Sequence, residues 1–493
     1  MRPSVRIAVV VTVLAAGRVA SAQRDDRPAP ARAPTVAPAA AAPSVELALP
    51  DILAAATRTS PALEGARLRV LSARGQALVA ESTEDLRLTA RSATTRGTGS
   101  GPTAPLSWTN TLGLSRLLPT GGTLSVDAEI GLDRRIGHRS AVTVSAAHPL
   151  LRGAGPAAAR AAINAARATR DAASLRREAA ARNVVRDVVA AYWAVAVAEQ
   201  QLAVRQSSLE LARKQLSTTQ AMVRASKLAQ SDIAAVEQVI AIREQDLLSA
   251  ELEVWERSLD LRRLAGLEIS ADAIVVHTAP LPAITGDDPA LAATVSRALE
   301  RSAELAALRA DLRAAAASAA AARSGRLPQL DLSVGATAEG VGGSHGDALT
   351  SLRAGDAVTI DGALTLSHAF ARSLERGADQ VARSQLLAAK LAVRDAEAAL
   401  VGDAARAVQQ VKIARNRVTI GLRAIEFAQA NVEAEQRRFD FGRTTIFEVL
   451  RRQEDLQAAR LRHAQAVFDF LSTMANLDAL TGDILDRYGL TVE

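Results

Sequence analysis

The second half of the chain rewrites the first. Leu264-Ala265-Gly266 closes one long alanine-rich helical stretch, and Leu480-Thr481-Gly482 closes another 216 positions later. The same offset pairs Asp232-Ile233 with Glu448-Val449 and Ser226 with Gly442. Upstream, Ser60-Pro61-Ala62-Leu63 echoes Ser302-Ala303-Glu304-Leu305 at an offset of 242, so the first half holds 26 extra residues between its opening and closing helices. A helix–strands–helices unit used twice implies a pseudo-two-fold body. A wall or tube segment fits that better than a pocket built around one active site.

The N-terminus reads as a secretory signal peptide over residues 1–22. Arg2 and Arg6 give the charged start, Ile7 to Ala16 is an apolar run broken only by Thr12, and Ala20-Ser21-Ala22 is the small-residue site. Cleavage is expected between Ala22 and Gln23. A membrane anchor needs about 20 apolar residues, and this run has half that. Export excludes cytosolic roles and chemistry that depends on cytosolic ATP. The chain has no cysteine, which rules out disulfides and a lipid-attachment thiol. The best later candidate for a spanning helix, Val188 to Ala198, is flanked by Asp187 and Glu199 and is too short to cross a bilayer.

Removing Arg2, Arg6 and Arg18 with the signal takes the formal charge from +6 to +3. The arginines are interspersed with acids at helical spacing, the pattern of a solvated or ion-paired face. Aromatic residues make up 2% of the chain, so the stacking partners of a nucleic-acid surface are missing. The six histidines form no pair at metal-ligand spacing. Gly340-Val341-Gly342-Gly343 lies between strand patterns and not before a helix, so it is no phosphate cradle, and Gly97 to Gly101 reads as a surface loop. Glu84-Asp85 and Asp287-Asp288 fit helix ends better than acid–base catalysis. No catalytic, cofactor or metal site is expected.

Residues 23–43 are rich in proline and alanine and read as a tether. The first repeat with its connector is placed at 44–282. A helix is expected from Asp51, as N-cap, to Glu81. Period-two patterning follows over about 86–148: Leu86/Leu88/Ala90, Leu112/Leu114, Leu124/Val126/Ala128/Ile130/Leu132 and Val142/Val144/Ala146 alternate with polar or small residues. Pro119-Thr120-Gly121-Gly122 marks a turn. Gly155 and Pro156 open a helix to about Thr219. After a break at Arg224 to Ser231, another runs from Asp232 to Leu264, and Glu268 to Pro282 is an irregular connector.

The second repeat spans 283–493. It is expected to open on a helix from Asp288, as N-cap, with Pro289 at N1, to Arg323. Strands follow over about 330–367, Leu330 to Ala338 and Val358 to Ser367, joined by a glycine-rich loop from Gly340 to Gly355. Helices from Leu374 to Phe439 and Ile446 to Leu480 finish the chain, with a break at Phe441-Gly442-Arg443-Thr444.

The strand runs have the length and alternation of a membrane barrel, apolar outside and Thr, Ser, Asp or Gly inside, although Trp108 is their one aromatic. The last helix carries two apolar stripes: Leu456, Ala459, Val467, Phe470, Met474 and Leu477, and Leu461, Ala464, Phe468, Leu471 and Ala475. Two stripes suit a helix with neighbours on both sides, as in a cylindrical wall. A solid four-helix bundle explains the helices but not the matched strand insertions.

This order resembles the TolC family of outer-membrane efflux proteins. The residues that carry it are Ala434-Glu435-Gln436-Arg437-Arg438-Phe439-Asp440-Phe441-Gly442, Ile446-Phe447-Glu448-Val449-Leu450 and the closing Leu480-Thr481-Gly482. His148-Pro149-Leu150-Leu151-Arg152-Gly153 resembles the family's strand-to-helix passage, and Arg326-Leu327-Pro328-Gln329-Leu330 its helix-to-strand passage. The chain departs from the pattern in lacking a glycine in Arg224-Ala225-Ser226-Lys227, in lacking a proline near Glu84, and in having His148 where glutamine is usual. The resemblance implies an α+β membrane protein: a homotrimer whose shared outer-membrane β-barrel continues into a long periplasmic α-helical barrel. It implies passive conduction of substrates from a proton-driven or ATP-driven inner-membrane pump through a periplasmic adaptor, for efflux or type I secretion. Adaptor docking is then expected at Arg224, Ala225, Ser226 and Lys227 and at Phe441, Gly442, Arg443 and Thr444. The rival reading is a periplasmic coiled-coil adaptor, which would have one helical hairpin and no doubled plan. Residues 106–132 form a hairpin that either adds barrel strands or projects beyond them.

Overall fold

The structure is a computed structural model that describes residues 45–46, 48–96, 106–133, 137–226, 228–269, 275–284 and 286–491. Ala22, Gln23, the expected tether, the Gly97 to Gly101 loop and Lys227 lie outside these residues.

The alanine-rich tracts form very long helices. In chain order the helices are α1 (Leu49–Thr59), α2 (Pro61–Glu81), α3 (Pro156–Ala159), α4 (Ala161–Arg224), α5 (Gln230–Ala265), α6 (Leu291–Arg301), α7 (Ala303–Gly325), α8 (His345–Ala354), α9 (Ser373–Asp440), α10 (Ile446–Thr481) and α11 (Ile484–Arg487). At 64 and 68 residues, α4 and α9 are each about 100 Å long at 1.5 Å per residue. The strands are β1 (Val45–Glu46), β2 (Arg87–Arg96), β3 (Leu106–Leu117), β4 (Thr123–Asp133), β5 (Gly137–Pro149), β6 (Val276–His277), β7 (Gln329–Gly342) and β8 (Ala357–Ser367).

Six strands form one antiparallel sheet in the order β2-β3-β4-β5-β7-β8. The hairpin of the extra 26 residues, β3–β4, is therefore an integral part of the sheet. Its turn is tied to the helical end, where the Gly155 amide donates to the Thr120 carbonyl at 3.0 Å. The two repeats meet in mid-sheet, where Val144 of β5 faces Ala336 of β7. β1 and β6 make a separate parallel pair, covered by Ile52, Leu53, Tyr192, Leu261 and Ile484 in the largest apolar core.

Each repeat opens on two helices. The expected single helix from Asp51 to Glu81 is broken at Ser60, since Pro61 disfavours helical backbone in the residue before it. Ser302, its counterpart 242 residues on, breaks α6 from α7 without a proline, and its side chain accepts from the Leu305 amide at 3.2 Å. Asp51 is not an N-cap; it lies in the first turn of α1, where a carboxylate complements the helix dipole. Asp288 is not an N-cap either. Its carboxylate accepts from Arg415 of α9 at 2.6 Å, and α6 starts at Leu291.

The expected loop from Gly340 to Gly355 contains α8. Ser344 and Asp347 form a reciprocal capping box at its start, and Gly355 ends it at φ 72°. Gly340 permits this packing, since a Cβ there would lie 2.1 Å from the Ala348 carbonyl oxygen. The helix thus rests on the backbone of β7.

Candidate conduit face and helical tips

The sheet has two chemically distinct faces. Strand register places Leu88, Leu112 and Leu114, Leu124, Val126 and Ile130, Val144, Leu332 and Val334, and Ile360 and Leu364 on one face. All are substantially exposed. The other face carries Arg87, Thr89, Arg91, Asp127, Glu129, Arg139, Thr143, Thr337, Glu339 and Asp361. Its polar groups bond across strands: Ser125 and Ser145 at 2.7 Å, and Thr143 and Thr337 at 3.0 Å. Arg139 donates to Glu339 at 2.7 Å and to Glu129 at 3.0 Å. A sheet apolar on one exposed face and hydrogen-bonding on the other suits lipid outside and water inside.

The sheet passes into the helices through ion pairs. Arg160 makes a bidentate contact with Glu84 at 2.7 and 2.8 Å. Arg167 reaches Glu81 at 2.6 Å, and Asp379 accepts from both Arg326 and Arg383. Glu84 is thus a joint between α4 and the start of the sheet. His148, at the foot of β5, packs against Gly122, where a Cβ would come within 2.8 Å of its ring.

At the far end of the long helices, the two turns have the same backbone. Ala225 and Phe441 cap α4 and α9 with φ −83° and −88°. The next residues, Ser226 and Gly442, are left-handed at φ 56° and 67°. Their amides donate to Val223 at 2.9 Å and Phe439 at 2.8 Å. Ser226 therefore adopts a glycine-type conformation with a side chain present, at a cost of about 1–2 kcal/mol. The sequence offset of 216 is matched by the geometry.

One apolar cluster gathers both turns: Val236, Phe439, Ile446, Val449 and Leu450 are buried, with Met222 and Leu228 packed against them. Arg224, Ala225, Ser226, Phe441, Gly442 and Arg443 are exposed, and Thr444 is half-buried. Phe441, at 79% exposure, is an apolar side chain offered to solvent at the tip. Asp232 caps the start of α5, accepting from the Ala229 amide at 3.1 Å.

Sequence periodicity gave no sign of the buried polar side chains on the helices behind this tip. Arg243 is buried, donates to the Ser208 carbonyl at 2.7 Å and has its charged form disfavoured by burial. Gln215 and Thr219 of α4 and Gln453 of α10 are buried as well. A glutamine or arginine at a helix-facing position reads as solvated until the partner helices are placed.

Among the described residues, no three histidines, aspartates or glutamates gather as a metal site. No described helix is long and apolar enough to cross a membrane. No curated protein matches the chain. Residues 294–483 match the outer membrane efflux protein family. Solved structures share the fold along nearly the full chain. The Campylobacter jejuni CmeC outer membrane channel is 14% identical over 88% of this chain and 85% of its own, with a TM-score of 0.67. The open state of the Neisseria gonorrhoeae MtrE outer membrane channel is 18% identical over 88% and 89%, with a TM-score of 0.66. The Vibrio cholerae outer membrane protein VceC is 18% identical over 90% and 97%, with a TM-score of 0.64. The second repeat thus carries the outer membrane efflux protein family's sequence signature, and the described chain as a whole has the fold of these outer-membrane channels.

Proposed function

We propose that the protein is the outer-membrane channel of a tripartite efflux system, passively conducting substrates that a periplasmic adaptor and an inner-membrane pump deliver. The observation that carries this is a sheet with an apolar outer face and, among the described residues, two unpaired edges, β2 and β8. Unsatisfied strand edges are not tolerated in lipid, so the sheet must close with further copies of itself. Three copies of six strands give a closed barrel of 18.

The helices support the same closure. α2 packs on α4, α4 on α7 and α7 on α9, so α2 and α9 flank the helical layer. α2 leads into β2 and α9 follows β8, which puts the edges of both layers on the same two sides. Both flanking helices expose apolar residues: Leu68, Leu71 and Leu78 on α2, and Val381, Leu387 and Leu391 on α9. In a trimer these would meet, giving a tunnel continuous with the barrel and an iris at the tips. The exposed turns at Arg224 to Ser226 and Phe441 to Thr444 are the surfaces for adaptor hairpins.

The adaptor reading is not favoured. A soluble adaptor has no use for a sheet whose apolar face is bare over six strands. Density-gradient fractionation tests this: the protein is expected with the outer membrane, and recovery in the soluble periplasm would overturn the proposal.

A further inference from the structure

Resting on the trimeric reading, we infer the register in which β8 of one copy pairs with β2 of the next, locked by an ion pair between Arg91 and Asp361. Among the described residues, neither side chain has a hydrogen bond or ion pair within the protomer, although each lies on the polar face of an edge strand. The carboxylate of Asp361 lies over Gly335, where a Cβ would be 2.7 Å away.

Three constraints select the register. Direct cross-strand pairing runs Arg87, Ser115, Ser125, Ser145, Gly335, Asp361 in one row across the protomer. A barrel closes only if this row meets the next copy displaced along β2, and the displacement must be even to keep polar residues on one face. With about 3.3 Å per residue and about 4.8 Å between strands, shifts of four, six and eight residues over six strands tilt the strands by about 25°, 35° and 43°. Membrane barrels tilt by about 35–45°, which leaves six and eight. A shift in the other sense runs off β2 into α2.

Strand ends decide between the two. A shift of six sets Asp361 opposite Ala93 and Arg91 opposite Ala363, and pairs Arg87–Arg96 with Val358–Ser367 along their whole length. A shift of eight leaves Arg87 and Leu88 facing residues beyond the end of β8. It also separates Arg91 from Asp361.

The protomer already contains the geometry that the six-residue register creates. Arg139 is opposite Val341 on β7 and bonds Glu339, two residues before it. It is opposite Gly131 on β4 and bonds Glu129, again two residues before. In the inferred register Arg91 is opposite Ala363 and meets Asp361, two residues before. Diagonal neighbours on one face lie about 7–8 Å apart, within reach of an arginine. The small side chains of Ala93 and Ala363 leave the space open.

The chain has no native cysteine, so introduced pairs report without background. Thr95→Cys with Thr359→Cys is directly opposed in the six-residue register. The full-length protein in outer membranes is expected to give covalent dimers and trimers on mild oxidation, and neither single variant should. Ala93→Cys with Ala363→Cys is opposed in the eight-residue register, and Ala93→Cys with Thr359→Cys in the four-residue one; cross-linking in either pair ahead of the first overturns the register while the trimer stands. Absence of every cross-link in a protein that also runs as a monomer in detergent overturns the trimer itself. As a charge test, Arg91→Glu and Asp361→Arg should each lower the temperature at which the trimer dissociates, and the double reversal should restore it. Additive losses in the double variant would remove the ion pair from the account.

Discussion

Gly266 and Gly482 occupy equivalent places in the two repeats, and the structure predicts that they differ sharply in tolerance to alanine. Both end a helix in the left-handed region, at φ 66° and 79°. A Cβ in that region costs about 1–2 kcal/mol at either site. Their surroundings differ. At Gly266 the added carbon would lie 2.3 Å from the carbonyl oxygen of Thr59 and 2.6 Å from its carbon. Those are backbone atoms of α1, held in place because the Thr59 hydroxyl donates to the Ala265 carbonyl at 2.9 Å. Behind them Ile52, Leu53 and Ala56 pack with Leu261 in the main core. Relief requires moving α1 by about 1 Å, an overpacking cost of about 1–3 kcal/mol. At Gly482 the nearest atoms are Arg301 Cβ at 3.1 Å and the Arg182 guanidinium at 3.2 Å, both side-chain and not backbone atoms, which need give way by only about a few tenths of an ångström. The expected losses are therefore about 2–5 kcal/mol for Gly266→Ala and about 1–2 kcal/mol for Gly482→Ala. Thermal loss of the helical circular dichroism signal in detergent, with both variants beside the parent, measures the contrast. Equal losses, or a neutral Gly266→Ala, would refute the claim that the α1–α5 contact is rigid.

Other outcomes follow from single sites. Burial pushes the Asp478 carboxyl up to about 6 against the opposing pull of Arg487. A raised carboxylate pKa makes stability fall as pH rises from about 4 through 6, by about 3 kcal/mol for a shift of about two units. Asp478→Asn should flatten that pH dependence in melting experiments and raise stability at pH 7.5; an unchanged profile would contradict it. Replacing Ser226 and Gly442 by valine should reduce export, while trimer formation and membrane insertion persist. Unaffected export would remove these turns from the docking surface. Thr120→Cys should resist an impermeant thiol reagent in whole cells and react once the outer membrane is opened, because its turn sits at the helical end of the sheet; labelling from outside would invert the barrel's orientation.

Much of the architecture was legible because the repeat and the period-two runs are long. The alternation of Leu124, Val126 and Ile130 with Ser125, Asp127 and Glu129 is the face division seen in the sheet. The hairpin around Pro119 was legible as a hairpin, but its place depended on whether β2 or β5 would pair with it, and no local pattern encodes that. α8 was missed because Gly340, Gly342 and Gly343 read as loop, whereas two of them are the surface on which that helix lies. Asp288 carried an N-cap signature followed by proline, yet Arg415 on another helix claimed its carboxylate. At the tips, Ser226 lacked the glycine signal but takes the same left-handed conformation as Gly442. The repeat offset is what made the two turns comparable, and tertiary packing around Met222 and Phe439 brings them together.

The central claim is that three copies close one barrel and one tunnel. Native mass spectrometry of the protein extracted from outer membranes in mild detergent tests it most directly. The account predicts a single species of three chain masses that survives dilution. A monodisperse monomer in the same detergent would contradict it, since the edges of β2 and β8 would then have no partner in lipid.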